Sequence, residues 1–212
     1  MININKEYTT PSNPGAFSGK TSFIKELKNK KIKYNKKEIN DWFLNEDSYT
    51  IHKPIKKNFK RNRVIVSGID DTWQADLIDL SNLSHLNDKY KFVLTVIDVF
   101  SKYAYAIPLK NKSAESIVNA FKLIISNGRT PKKLQTDAGN EFINKSLKKY
   151  LKQVKMYTTY SEMKASVVER FNRTLKEKMW RYFSYKHHYR WVDVLQDFIK
   201  SYNNSYHRIY NI

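Results

Sequence analysis

A chain of 212 residues with 41% hydrophobic side chains can bury one substantial core and a small extension, which excludes a wholly disordered protein. Its 39 Lys and Arg outweigh 20 Asp and Glu, a formal charge of +19, and such a surplus attracts polyanions, with nucleic acid first and an anionic membrane surface second. The absence of cysteine excludes disulfides and any zinc site with cysteine ligands, and no apolar run is long enough for a membrane span or a signal peptide.

Residues 1–19 hold Pro11, Pro14, Gly15 and Gly19 with little apolar content, and predict an irregular arm. Residues 20–52 read as a small helical domain of two short helices. Phe23, Ile24 and Leu27 share one face; Ile39, Trp42 and Phe43 share another, with a break at Asn35. KPIKKNFKRNR, residues 53–63, carries Lys53, Lys56, Lys57, Lys60, Arg61 and Arg63 and no acid. Pro54 argues against a helix there, so residues 53–69 are expected to form an extended basic linker. No clean apolar face accompanies the charge, so no membrane partner is expected.

From about residue 70 the pattern changes to a larger core, expected to run to 212. TWQADLIDL is strand-like, YKFVLTVIDVF reads as a central buried strand, and KYAYAIPL as a third. Short links between them predict an antiparallel meander. Ser113 can cap a helix whose apolar face is Ile117, Val118, Phe121, Ile124 and Ile125, closed by Asn127 and Gly128. KLQTD is a short fourth strand. A helix around NKSLKKYLKQV buries Leu147, Tyr150, Leu151 and Val154, and KMYTT is a fifth strand. After the polar loop YSEMKAS, Val168, Phe171, Leu175, Met179 and Phe183 make one helical stripe, leaving Glu169, Arg173 and Lys176 on another side. A last helix turns Val192, Leu195, Ile199 and Tyr202 inward. The order β-β-β-α-β-α-β-α-α predicts an α/β domain: a five-stranded mixed sheet of the ribonuclease H-like kind, with a small helical N-terminal extension.

Three acids stand out. Asp76 lies inside the first strand, where an uncompensated charge is costly. Asp137 ends the fourth, with Gly139 expected to permit a tight turn. In this order the first strand is central and the fourth lies beside it, so the two carboxylates can face each other. Glu169, in the first turn of a later helix, can approach the same point. Gathered carboxylates repel one another unless a hard divalent cation joins them, and two such ions can serve both the attacking and the leaving oxygen of a phosphodiester. Singly, each acid has a plainer explanation, such as a surface aspartate or a favourable helix dipole. Together, with the fold order and the charge, they favour the metal site. Asp79 and Asp98 also lie in strand-like segments and are assigned to no site.

WQADLID, LQTDAGNEF and KASVVERFNRTLK resemble, in order, the three catalytic blocks of retroviral-type integrases, and the resemblance extends over roughly residues 70–208 to YNNSYHR. The wording YTIHKPIKKNFKRNR and IDDTWQADL is most similar to integrases of Maverick/Polinton transposons and related viral elements. The resemblance implies a ribonuclease H-like fold in which Asp76, Asp137 and Glu169 hold two Mg2+ (or Mn2+) ions, the first acid touching both. It implies that Tyr160, in the loop before the last block, and Lys164, Arg173 and Lys176 within it lie at DNA. The basic segment joins that DNA-binding set through its charge. The chain departs from the pattern in three places. The interval between Asp137 and Glu169 is shorter than the retroviral one, Ser166 replaces a frequent glycine, and the chain stops where relatives continue into a C-terminal module.

The function this implies is a DNA integrase or transposase-type polynucleotidyl transferase. It would trim 3′ ends of element DNA and join them to target DNA. Its partners would be both DNAs and further copies of itself, with no small-molecule substrate. The expected location is intracellular, in a host nucleus or where element DNA replicates. The alternatives are a truncated or domesticated non-catalytic DNA-binding protein and a simple ribonuclease H-like nuclease.

Overall fold

The computed structural model describes residues 2–52, 65–137, 139, 141–158 and 165–207. They form two compact units. One holds the described residues up to 52 together with those from Arg173 onward; the other holds 65 through Asn172. The expected division instead ran one core from 70 to the end.

The first helix, α1 (Ile4–Thr9), corrects the irregular arm predicted for residues 1–19. Asn3 caps it by accepting the Lys6 N–H at 2.9 Å. Its anchor is Tyr8, fully buried among the rings of Phe17, Phe23, Trp42 and Phe43. The prolines come after the helix has ended, and the apolar residues of the segment are too few to show a period. Next, α2 (Lys20–Asn29) buries Phe23 and Leu27 as expected, and also Glu26, whose carboxylate accepts the Tyr206 N–H at 2.9 Å. Asn35 caps α3 (Lys36–Asn45), which buries Ile39 and Phe43, and α4 (Asp47–Thr50) follows.

In the other unit, β1 (Thr72–Asp79), β2 (Phe92–Asp98) and β3 (Ala104–Leu109) form the expected antiparallel meander, with a 3-10 turn over Ser81–Leu86 after β1. Ser113 caps α5 (Ala114–Ile125), and Gly128, at φ +87°, ends it. β4 (Lys133–Thr136), α6 (Lys145–Tyr150) and β5 (Lys155–Thr158) complete the sheet. The strand order is β3-β2-β1-β4-β5, and both added strands are parallel. Trp73 and Ala75 of β1, Leu94 and Val96 of β2 and Leu134 of β4 share one core with Ile117, Phe121 and Ile124 of α5. Because strand side chains alternate, Gln74 and Asp76 turn to the opposite face.

The long helix α7 (Ser166–Lys186) buries the expected stripe of Val168, Phe171, Leu175, Met179 and Phe183. Its residues to Asn172 belong to the sheet unit, and those from Arg173 to the other. In that second part Lys178 and Arg181 are also buried. Lys178 Nζ donates to the Ala16 carbonyl at 2.6 Å and to Ser201 Oγ at 3.1 Å; Arg181 Nη1 donates to the Phe17 carbonyl at 2.7 Å. The final helix, α8 (Leu195–Asn203), buries Leu195, Phe198 and Ile199. Val192 falls before it and Tyr202 is only half-buried, so the inward stripe is shifted from the expected one.

Candidate active site

Parallel pairing sets Ala75 of β1 level with Thr136 of β4. One step further along each chain stand Asp76 and Asp137, so the ladder brings the two acids side by side at the sheet's centre, as the predicted order requires. Asp76 is half-buried and Asp137 exposed. Asp76 Oδ1 accepts the Leu77 N–H at 2.8 Å, and Oδ2 accepts the Asn172 amide at 2.7 Å. Asp137 Oδ1 accepts the Gly139 N–H at 3.2 Å. Among the described residues Gly128 is the only glycine with positive φ, so Gly139 does not serve Asp137 through a left-handed backbone. It serves as an N–H donor.

Glu169 is exposed in the first turn of α7. That turn is bound to β1: Gln74 Oε1 accepts the N–H groups of Val167 and Val168 at 2.9 and 3.0 Å. One turn further, Asn172 holds Asp76, so side chains at two positions of β1 locate the start of the helix. Burial pushes the Asp76 carboxyl above the usual carboxylate range, and the charges of Asp137 and Glu169 push it the same way, against the Leu77 and Asn172 hydrogen bonds. Asp76 therefore feels the charges of both other carboxylates. Among the described residues, no three acidic or imidazole groups stand close enough to grip one ion. The donor set of Asp76, Asp137 and Glu169, all carboxylate oxygen, suits a hard divalent ion.

The other aspartates separate cleanly. Asp98 is fully buried, 2.7 Å from the Arg129 guanidinium, which also grips Asp70, and it accepts from Ser101 Oγ. It is a structural ion pair. Asp79 is exposed and accepts the Ser81 N–H at 2.9 Å.

Of the expected DNA-binding residues, Lys53, Lys56, Lys57, Lys60, Arg61 and Arg63 lie outside the described residues, as do Tyr160 and Lys164. Arg173 and Lys176 are exposed on α7. Gln74 and Asn172 escaped the sequence reading. Their signal was faint: a glutamine two positions before each sheet acid, and an asparagine one turn after Glu169.

Residues 69–166 match the family model described as Integrase core domain. A transposon-derived protein of Caenorhabditis elegans is 36% identical over 125 residues, covering 58% of this chain and 44% of that protein. The retrovirus-related Pol polyprotein from transposon 412 of Drosophila melanogaster is 33% identical over 126 residues, covering 57% of this chain and 10% of that one. The chain thus spans less than half the length of these curated relatives. Among solved structures, the HTLV-2 integrase catalytic core domain in complex with magnesium, in its trimeric form, aligns with a TM-score of 0.52 at 20% identity, over 64% of this chain and 86% of that one. The resemblance to integrases is borne out over residues 69–166, which end before Glu169, and so is the ribonuclease H-like fold read from the element order.

Proposed function

We propose that this chain, whose residues 69–166 match the integrase core domain, is a metal-dependent polynucleotidyl transferase that trims DNA 3′ ends and joins them to target DNA. The observation that carries the reading is the register of β1 and β4, which sets Asp76 and Asp137 side by side while Gln74 and Asn172 bind the helix bearing Glu169 to β1.

Asp76, Asp137 and Glu169 would hold two Mg2+ or Mn2+ ions. When bound, such ions supply a nucleophile of lowered pKa and stabilise the leaving oxygen of a phosphodiester. The chain's own residues prepare the place. Leu77 N–H and the Asn172 amide each occupy one oxygen of Asp76, so its carboxylate plane is set beforehand. The exposure of Asp137 and Glu169 leaves the open side free for a DNA strand. Arg173 and Lys176, exposed on α7, would meet phosphates, as would the basic segment, Tyr160 and Lys164. The HTLV-2 core has dimeric and trimeric forms, and this chain would likewise assemble with copies of itself. The place of action would be the nucleus of a host, or wherever element DNA replicates.

Glu169→Gln tests the reading. The residue is exposed, so stability should stay within about 0.5 kcal/mol of wild type. Metal-dependent cleavage and joining of an end-mimicking duplex should vanish. Activity equal to wild type in this variant would end the triad assignment. A second reading is non-catalytic DNA binding, which the surplus of 39 Lys and Arg over 20 Asp and Glu would serve by itself. Wild-type protein that binds duplex in a salt-dependent way, yet cuts and joins nothing with Mg2+ or Mn2+, would select it.

A further inference from the structure

Each sheet acid is preceded, two positions earlier, by a glutamine: Gln74 in WQAD and Gln135 in LQTD. Residues two apart on a strand share a face, so the amides form a layer beneath the acids. Gln74 and Gln135 are level across β1 and β4, and Gln74 Nε2 donates to Gln135 Oε1 at 2.8 Å. Both are buried, Gln74 completely. The remaining group of Gln74, its Oε1, takes the N–H groups of Val167 and Val168.

These are the second and third residues of α7. A helix cannot satisfy its own first N–H groups, and the residue just before the helix ordinarily serves them with a side-chain oxygen. Here that residue is Ala165, which has none. Gln74 supplies the missing cap from a strand 93 residues away in the chain. Glu169 comes immediately after the two capped residues. Asn172 secures the helix one turn later but leaves the first turn to Gln74. Without the cap, two N–H groups lose their partner and the first turn can fray.

We infer that Gln74 is a positioning residue, which caps α7 from β1, braced by Gln135, and thereby sets where Glu169 stands relative to Asp76 and Asp137. The inference rests on the proposed reading of those three acids as the metal site.

The test uses Gln74→Met, which keeps the length and removes both polar atoms, and the double variant Gln74→Met/Ala165→Ser, which restores a cap locally. Amide exchange of Val167 and Val168 and Mn2+ affinity by spin-resonance titration are read on each. Gln74→Met should exchange both amides faster and bind Mn2+ roughly 10- to 100-fold more weakly, the usual cost of removing a group that orients a ligand. The double variant should recover amide protection and affinity together. Unchanged Mn2+ affinity in Gln74→Met overturns the inference, and so does restored protection without restored affinity. Should Gln74→Met fail to fold, Gln135→Met, which removes only the brace, is read in its place; a smaller loss of affinity supports the inference and none overturns it. Equal Mn2+ binding by wild type and Glu169→Gln would sink the three-acid reading and the inference with it. A wild type that outbinds Glu169→Gln but only matches Gln74→Met would sink the inference alone.

Discussion

Lys178 is buried, with its side-chain nitrogen on the Ala16 carbonyl and the Ser201 hydroxyl. Burial pulls it down to about 7; the Arg181 charge adds to the effect and Glu26 opposes it. Between about 7 and the ordinary lysine value of 10.5 the unfolded chain holds a proton that the folded chain has released. Stability should therefore rise with pH across that window, and the gain should be lost as pH falls toward 7. The slope expected from this one group is on the order of 1 kcal/mol per pH unit. Denaturant titrations of wild type and Lys178→Met at several pH values isolate it, because all other titrations are common to both. Parallel curves for the two proteins would show that Lys178 is not the origin of the rise.

At the scale of elements, the sheet unit follows local rules closely. β3 is an edge strand, which is where Pro108, lacking an N–H, is tolerated. Helix α5 shows both of its sequence signals at work: Ser113 Oγ accepts the Ser116 N–H at 3.3 Å, and Gly128 turns left-handed beyond the last turn. No heavy atom crowds the position where a Gly128 side chain would begin, so substitution meets only backbone strain. Gly128→Ala should cost about 1 kcal/mol, and Ser113→Ala about the same by removing the cap. Two denaturation curves check this. If Gly128→Ala is as stable as wild type, the left-handed turn does not survive in solution.

For the molecule as a whole, the charge of +19 sets the terms of its encounter with DNA. If the basic segment lies along a duplex, neutralising Lys56, Lys57, Lys60 and Arg61 together should weaken binding to all sequences alike. The slope of log affinity against log salt should also flatten, by about 0.9 for each phosphate that is no longer neutralised. Titrating one duplex at several salt concentrations gives that slope directly. An unaltered slope would assign the segment to solvent.

The strands and the long helix were legible in the sequence because burial leaves a pattern: YKFVLTVIDVF is a near-continuous apolar run, and the stripe from Val168 to Phe183 recurs at helical spacing. The order of those elements was enough to set β1 beside β4, and so Asp76 beside Asp137. Polar partnerships were not legible. Nothing local distinguishes Asp98, paired with Arg129, from Asp76, which lies within reach of the charges of two acids. Nothing marks Lys178 and Arg181 as buried on carbonyls of Ala16 and Phe17, Tyr8 as the anchor of α1, or Gln74 as the cap of a helix 93 residues on. Periodicity reports which side of an element faces inward. Which polar group waits there is decided only when distant segments meet, because a buried hydrogen bond depends on both partners and the local sequence supplies one.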